Sequence, residues 1–318
     1  MKRKSVVVLA LLFVFVIMAA CSNGGAPSSL SIATGGTSGT YYPLGGGMAQ
    51  IFTKNVVNTT AEVTGASVEN MQLLKNKDVD IAFTQSDIAD YASKGTLMFA
   101  DSGAIDNINA VASLYNETIQ IIVAASSDIR SVEDLKGKKV SIGAPGSGTE
   151  ANALQILEVH GMTEADLGQV QRLNFGDSSS YIQDGTLDAA FVTAGTPTSA
   201  VSELAATVGA RVVNIADDKI AALIAKYPYY AEQTIEGGTY TGFDETVKTV
   251  AVKAQLVVRK DLDEDTVYKI TKSLFENLDD LVAVHQKASE IKLESALEGV
   301  SLDVHPGAKK YFDEAGVK

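Results

Sequence analysis

A pattern that occurs twice constrains this 318-residue chain more than any other feature. Ile32-Ala33-Thr34-Gly35-Gly36-Thr37-Ser38-Gly39-Thr40 leads from an apolar stretch into glycines and hydroxyls. Apolar residues then recur at Leu44, Met48, Ile51 and Phe52, the spacing of one helix face. Val140-Ser141-Ile142-Gly143-Ala144-Pro145-Gly146-Ser147-Gly148-Thr149 repeats the arrangement, followed by Ala153, Ile156 and Leu157. Each reads as strand, loop and helix N-terminus. The glycines let backbone approach a guest closely, and the first N–H groups of a helix have no intrahelical partner, so such a turn favours an anion.

The correspondence continues downstream. Asp80-Ile81-Ala82-Phe83-Thr84-Gln85 and Asp188-Ala189-Ala190-Phe191-Val192-Thr193 are matching strands, with Ile32 to Phe83 spanning 51 positions and Ile142 to Phe191 spanning 49. Between them lie two further turns, Thr64-Gly65-Ala66-Ser67 and Phe175-Gly176-Asp177-Ser178. Two α/β units of like construction follow, and in such units ligands bind outside the carboxyl ends of the strands.

Neither loop is a nucleotide site. The first lacks a P-loop lysine and is not G-x-G-x-x-G; in the second, Thr149 and Glu150 stand where Lys and Ser/Thr would follow. A net charge of −13, or −16 with Lys2, Arg3 and Lys4 set aside, argues against nucleic acid or an anionic membrane surface as partner. Enzyme signatures are lacking too. There is no G-x-S-x-G or H-E-x-x-H, and His160, His285 and His305 lie too far apart for metal-ligand spacing. No cofactor or metal is expected.

Met1-Lys2-Arg3-Lys4 followed by an unbroken apolar run from Val6 to Ala20 is a signal-peptide core, short of the ~20 residues of a spanning helix. It ends in Ile17-Met18-Ala19-Ala20-Cys21, which resembles a bacterial lipobox. Cys21, the one cysteine, would carry the lipid. Residues 21–29 form a Ser/Gly-rich tether.

The expected order is a helix to about Asn55, an extended Thr60–Thr64, a helix capped by Ser67, a strand over 79–85 and a helix from Ser86. Beyond these come β runs over 118–125 and 248–259, a short capped helix over 131–139, a long helix over 263–285 and a last one over 308–312. The two β runs cross between lobes, dividing the chain into 1–20 (signal peptide), 21–29 (tether), 30–118 with 250–318 (lobe 1) and 119–249 (lobe 2). The fold class is α/β, two-lobed.

Ile32 to Gly47, Gly143 to Glu150, Thr249 to Asp265 and the tail from Lys272 through Ala308 resemble the TAXI family of TRAP-transporter solute receptors. The resemblance implies a type II periplasmic-binding-protein fold whose lobes close on a small carboxylate such as glutamate, glutamine or 2-oxoglutarate. A lipid-anchored receptor of this kind presents its solute to a membrane permease. A sensing lipoprotein, an ABC-type phosphate or phosphonate receptor and an exported enzyme are the alternatives.

The expected ligand-binding set is Gly36, Thr37, Ser38, Tyr41, Ser67, Gln85, Ser147, Gly148, Thr149, Asp177 and Thr193. The hydroxyls of Thr37, Ser147 and Thr149 either face the guest or cap helices. Asp177 either holds an ammonium or caps the helix that follows it.

Overall fold

The computed structural model describes residues 27–317. The expected signal peptide, the lipidation site at Cys21 and most of the tether lie outside the described residues.

Among the described residues, ten strands form one mixed sheet and ten α-helices pack on it, in two lobes. The first lobe opens with β1 (Leu30–Ala33), α1 (Tyr41–Asn55), β2 (Thr59–Glu62), α2 (Ser67–Asn76), β3 (Ile81–Gln85) and α3 (Ser86–Lys94). The 17-residue strand β4 (Ile108–Ala124) carries the chain into the second lobe. There follow β5 (Lys139–Ser141), α4 (Gly148–Val159), β6 (Gln169–Gln171), α5 (Phe175–Gln183), β7 (Ala189–Ala194), α6 (Ser199–Thr207), β8 (Ala210–Val212), α7 (Asp217–Lys226) and β9 (Ala231–Ile235). The return strand β10 (Val247–Arg259) leads to α8 (Glu264–Glu276), α9 (Leu278–Val284) and α10 (Pro306–Ala315).

The strand order is β2-β1-β3-β10-β4-β7-β5-β6, with β8 on β4 and β9 on β10. The long strands are antiparallel partners from Ala251 opposite Thr118 to Arg259 opposite Ile108. At one end β10 pairs with β3, and beyond Thr118 β4 pairs with β7. The sheet is thus shared by both lobes through the same two strands.

The repeat seen in the sequence is a repeat in space. Ile32 lies opposite Ile81 in the parallel β1–β3 pair, and Val140 opposite Ala189 in β5–β7, both 49 positions apart. One aspartate closes each pair. Asp80 Oδ2 accepts from Ser31 N–H at 2.9 Å, and Asp188 Oδ2 accepts from Lys139 N–H at 2.7 Å.

Alternation along the strands fills two cores per lobe. In β3, Ile81 and Phe83 pack with Ile32, Leu44 and Phe52, while Ala82 faces Met71, Leu74 and Ile88. In β7, Phe191 packs with Val140 and Ile156, while Ala190 and Val192 face Ile182 and Leu204.

Four expectations need correction. β4 begins at Ile108, ten residues before the expected Thr118. Ser67 is not an N-cap; Ala66 holds that position at φ 81°, and Ser67 is the first helical residue. The capped helix expected over 131–139 is a single 3₁₀ turn at Glu133–Leu135. The helix expected over 263–285 is interrupted at Asn277, whose backbone leaves helical geometry and whose side chain caps Ser273 O at 2.8 Å.

Candidate functional site

Between the lobes lies a cavity of about 60 Å³. A buried water needs roughly 10–15 Å³ on this scale, so the space suits a small solute. Its walls are the first turns of four helices. α1 contributes Thr40 and Tyr41, α2 Ala66 and Ser67, α4 Ser147, Gly148 and Thr149, and α5 Asn174 and Phe175. Two of these helices belong to each lobe.

The four N-termini are capped to different degrees. Ser147 Oγ accepts from Glu150 N–H at 3.2 Å, and Asn174 Oδ1 from Asp177 N–H at 2.9 Å. No side chain caps α1 or α2. For α2 the cap comes from the other lobe, because Gly146 O accepts from both Val68 and Glu69 N–H at 3.1 Å. An uncapped N-terminus favours an anion by ~0.3–1 kcal/mol, and by ~2 when partly buried.

Among the described residues no lysine or arginine lines the cavity. Its ionisable side chains are Tyr41 and Glu117. Tyr41 O–H donates to Glu117 Oε2 at 2.6 Å, and its ring lies 4.9 Å from that of Phe83. Burial holds the Glu117 carboxyl far above the ordinary range, at about 8, even though the Tyr41 hydrogen bond pulls the other way. The same burial, reinforced by Glu117, pushes Tyr41 upward. Two further polar atoms on the wall, Gln85 Oε1 and Thr193 Oγ1, are buried without a hydrogen-bond partner.

The lobes touch around this space. Thr40 Oγ1 donates to Gly195 O at 3.4 Å, and Ala200 N–H to Ser38 O at 3.3 Å. On one flank, Asn152 Nδ2 of α4 donates to Asp87 Oδ2 of α3 at 3.0 Å and to Tyr230 at 2.8 Å; Gln155 Nε2 reaches Tyr91 O–H at 3.1 Å. Burial raises Asp87 to about 7.

The contact surfaces are made of glycines for a steric reason. A Cβ at Gly148 would lie 1.9 Å from Gln85 Oε1, one at Gly65 2.8 Å from Pro145 O, and one at Gly176 2.8 Å from Ser38 Oγ. Each of these contacts crosses from one lobe to the other. The loops therefore need glycine for lobe-to-lobe approach as well as for access by a guest.

The structure brings Gly36, Ser38, Tyr41, Ser67, Gln85, Ser147, Gly148, Thr149 and Thr193 together on the cavity wall. Thr37 and Asp177 are not there. Thr37 sits at the exposed corner of the turn closed by Gly39 N–H to Gly36 O at 3.1 Å. Asp177 is exposed in the first turn of α5, with its carboxylate accepting from Asn174 Nδ2 at 2.7 Å. Ser147 lines the wall and caps its helix at once.

Sequence reasoning missed Asn174, Phe175 and, above all, Glu117. The available signal was that Glu117 is the one charged residue in the seventeen of β4. Among the described residues no group of three His, Asp or Glu could hold a metal ion, and no helix is long and apolar enough to cross a membrane.

Solved structures share this architecture. PhnD1 from Prochlorococcus marinus MIT 9301 in complex with methylphosphonate superposes with a TM-score of 0.56 at 11% identity, covering 91% of this chain and 97% of that one. A protein from Bordetella bronchiseptica RB50 gives 0.55 at 17%, covering 91% and 82%. The alkanesulfonate-binding protein SsuA from Xanthomonas axonopodis pv. citri, bound to MOPS, gives 0.50 at 15%, covering 86% of each. At these identities the likeness is one of fold, that of two-lobed solute-binding proteins. A family model matches residues 32–316, and by that match the chain belongs to the NMT1-like family.

Proposed function

We propose that this protein is an extracytoplasmic solute receptor that closes its lobes on a small carboxylate-bearing solute and delivers it to a membrane permease. It binds and releases its solute without chemical change. One observation carries the reading: the cavity lies between two lobes and is walled by four helix N-termini, with no cationic side chain among the described residues that line it. Backbone N–H groups can hold a carboxylate there, and a guest that touches both lobes favours the closed form by its differential affinity.

The finer reading is a TAXI-type receptor of a TRAP transporter, with glutamate, glutamine or 2-oxoglutarate as solute and a lipid on Cys21 as anchor. Lobe 1 is taken as residues 30–118 with 250–318 and lobe 2 as 119–249. The nine wall residues named above form the proposed contact set.

A second reading is a phosphonate or sulfonate receptor, favoured by the fold shared with PhnD1 and SsuA. A phosphonate dianion would hold Glu117 in its protonated form, and a sulfonate monoanion would meet the same neutral acid.

Thermal shift of the purified protein decides between them, using amino acids, 2-oxoglutarate, methylphosphonate, phosphate and MOPS. The expected outcome is stabilisation by a carboxylate at micromolar concentration. Stabilisation by methylphosphonate or MOPS alone would transfer the protein to the second reading.

A further inference from the structure

The anion-favouring helix N-termini account for one end of a guest. Glu117, Gln85 and Thr193 come from three strands, β4, β3 and β7, and supply three buried acceptors on the strand side of the same cavity. Relative exposures are 2% for Glu117, 2% for Gln85 and 5% for Thr193. Gln85 Oε1 and Thr193 Oγ1 lack partners, and Glu117 accepts from Tyr41.

We propose that Glu117, Gln85 and Thr193 form a subsite for a protonated amine, so that the solute is an amino acid and not the corresponding oxo acid. The proposal rests on the carboxylate-receptor reading and narrows it. An ammonium carries three donors and no acceptor, and the three side chains offer acceptors to match. A buried carboxylate needs a cation or must stay protonated.

The ionisable groups that bear on Glu117 supply no such cation within the cavity. Tyr41 on α1 donates a neutral hydroxyl. Asp87 on α3 opposes negative charge on Glu117, and Tyr115 on β4, its own pKa raised by burial and by Glu117, stays a neutral phenol. Lys287, buried in the turn at Gln286–Glu290, pulls the Glu117 pKa down by its charge but is outside the cavity lining and is paired with Glu290 at 2.6 Å. A guest amine is the missing partner. Because burial keeps Glu117 protonated up to about pH 8, binding an ammonium at pH 7 expels a proton.

Calorimetry of the purified full chain at pH 7 tests this with matched pairs, L-glutamate against 2-oxoglutarate and L-alanine against pyruvate. Buffers of different ionisation heat count the protons. A hydrogen bond to a charged group translates into about 10- to 150-fold in affinity. The expected result is that the amino acid of the better-binding pair wins by at least about tenfold and releases close to one proton.

Glu117→Gln keeps the acceptor for Tyr41 and is expected to remove most of that preference together with the proton release. Thr193→Val is expected to reduce the preference several-fold without touching the carboxyl, and it serves if Glu117→Gln fails to fold. Tighter binding of the oxo acid, or an undiminished preference in both variants, would overturn the ammonium subsite and leave the receptor reading intact. Failure of every amino acid and oxo acid to bind would instead remove the carboxylate-receptor reading, and the subsite with it.

Discussion

Among the glycines at lobe contacts, Gly148 is the one where an added Cβ would come nearest to the opposite lobe. An added Cβ would sit 1.9 Å from Gln85 Oε1 and 2.4 Å from its Cδ, whereas side-chain Cβ atoms do not approach closer than 3.0 Å. The shortfall, 3.0 − 1.9 = 1.1 Å, must be met by one of two movements. Either Gln85 turns into the cavity, where the solute belongs, or the lobes part. Overpacking of this kind costs about 1–3 kcal/mol, or about 5- to 150-fold in affinity. Gly148 belongs to one lobe and Gln85 to the other, so the penalty falls on the closed form.

Gly148→Ala should therefore weaken binding of the tightest amino acid by that factor in calorimetry, while the ligand-free melting temperature changes little. Gly46→Ala is the control. It lies on α1, a Cβ there meets nothing within 4 Å, and the variant should bind normally with ~0.5–1 kcal/mol of added stability. Equal affinities for Gly148→Ala and wild type would refute the view that binding requires the lobes to meet at this glycine.

Other expectations follow from named contacts. Asn70 is buried, donates to Thr34 O at 2.7 Å and Phe83 O at 2.8 Å, and accepts from Thr64 Oγ1. Asn70→Ala should cost about 1–3 kcal/mol in denaturant unfolding by orphaning two buried carbonyls. Asp177→Asn should leave affinity within twofold of wild type (roughly 0.4 kcal/mol), since the residue is exposed and outside the cavity. Burial raises the folded-state pKa of Glu117 from 4.5 to about 8 and of Asp87 from 3.8 to about 7, so the folded protein binds more protons than the unfolded chain between those limits. Ligand-free stability should accordingly fall as pH rises from about 4 to 8, by on the order of 1 kcal/mol per pH unit for each group. Melting scans across that range check it, and Glu117→Gln with Asp87→Asn should flatten the profile.

The architecture was legible because its repeat is carried by short-range signals. Glycines and hydroxyls mark the turns, and Asp80 and Asp188 open the paired strands at equal separations. The two crossing strands announced themselves by β-prone runs, Thr118 to Ala125 and Lys248 to Arg259. What failed is what depends on partners distant in sequence.

Residues 108–117 hold Asn, Ser, Tyr and Glu in a strand buried on both faces, so no alternation marks them, and Glu117 went unseen with them. Asp177 and Asn174 are three positions apart in one turn. Which of them faces the cavity is fixed by how α5 packs on its lobe, not by the residue types. Thr37 shares the composition of its neighbours, but the turn closed by Gly36 and Gly39 carries its side chain outward. Ser67 looked like a cap because Asn70 follows at the spacing of one, yet Asn70 is committed to Thr34 and Phe83.

In the proposed receptor one small guest is held by helix N-termini of both lobes at once. Hydrogen–deuterium exchange of the backbone amides, with and without the tightest-binding amino acid, tests it most directly. Slowed exchange is expected together at Gly36–Tyr41 and Ser67–Asn70 of one lobe and at Gly148–Ala151 and Phe175–Ser178 of the other. Protection confined to one lobe, or found away from these four turns, would contradict it.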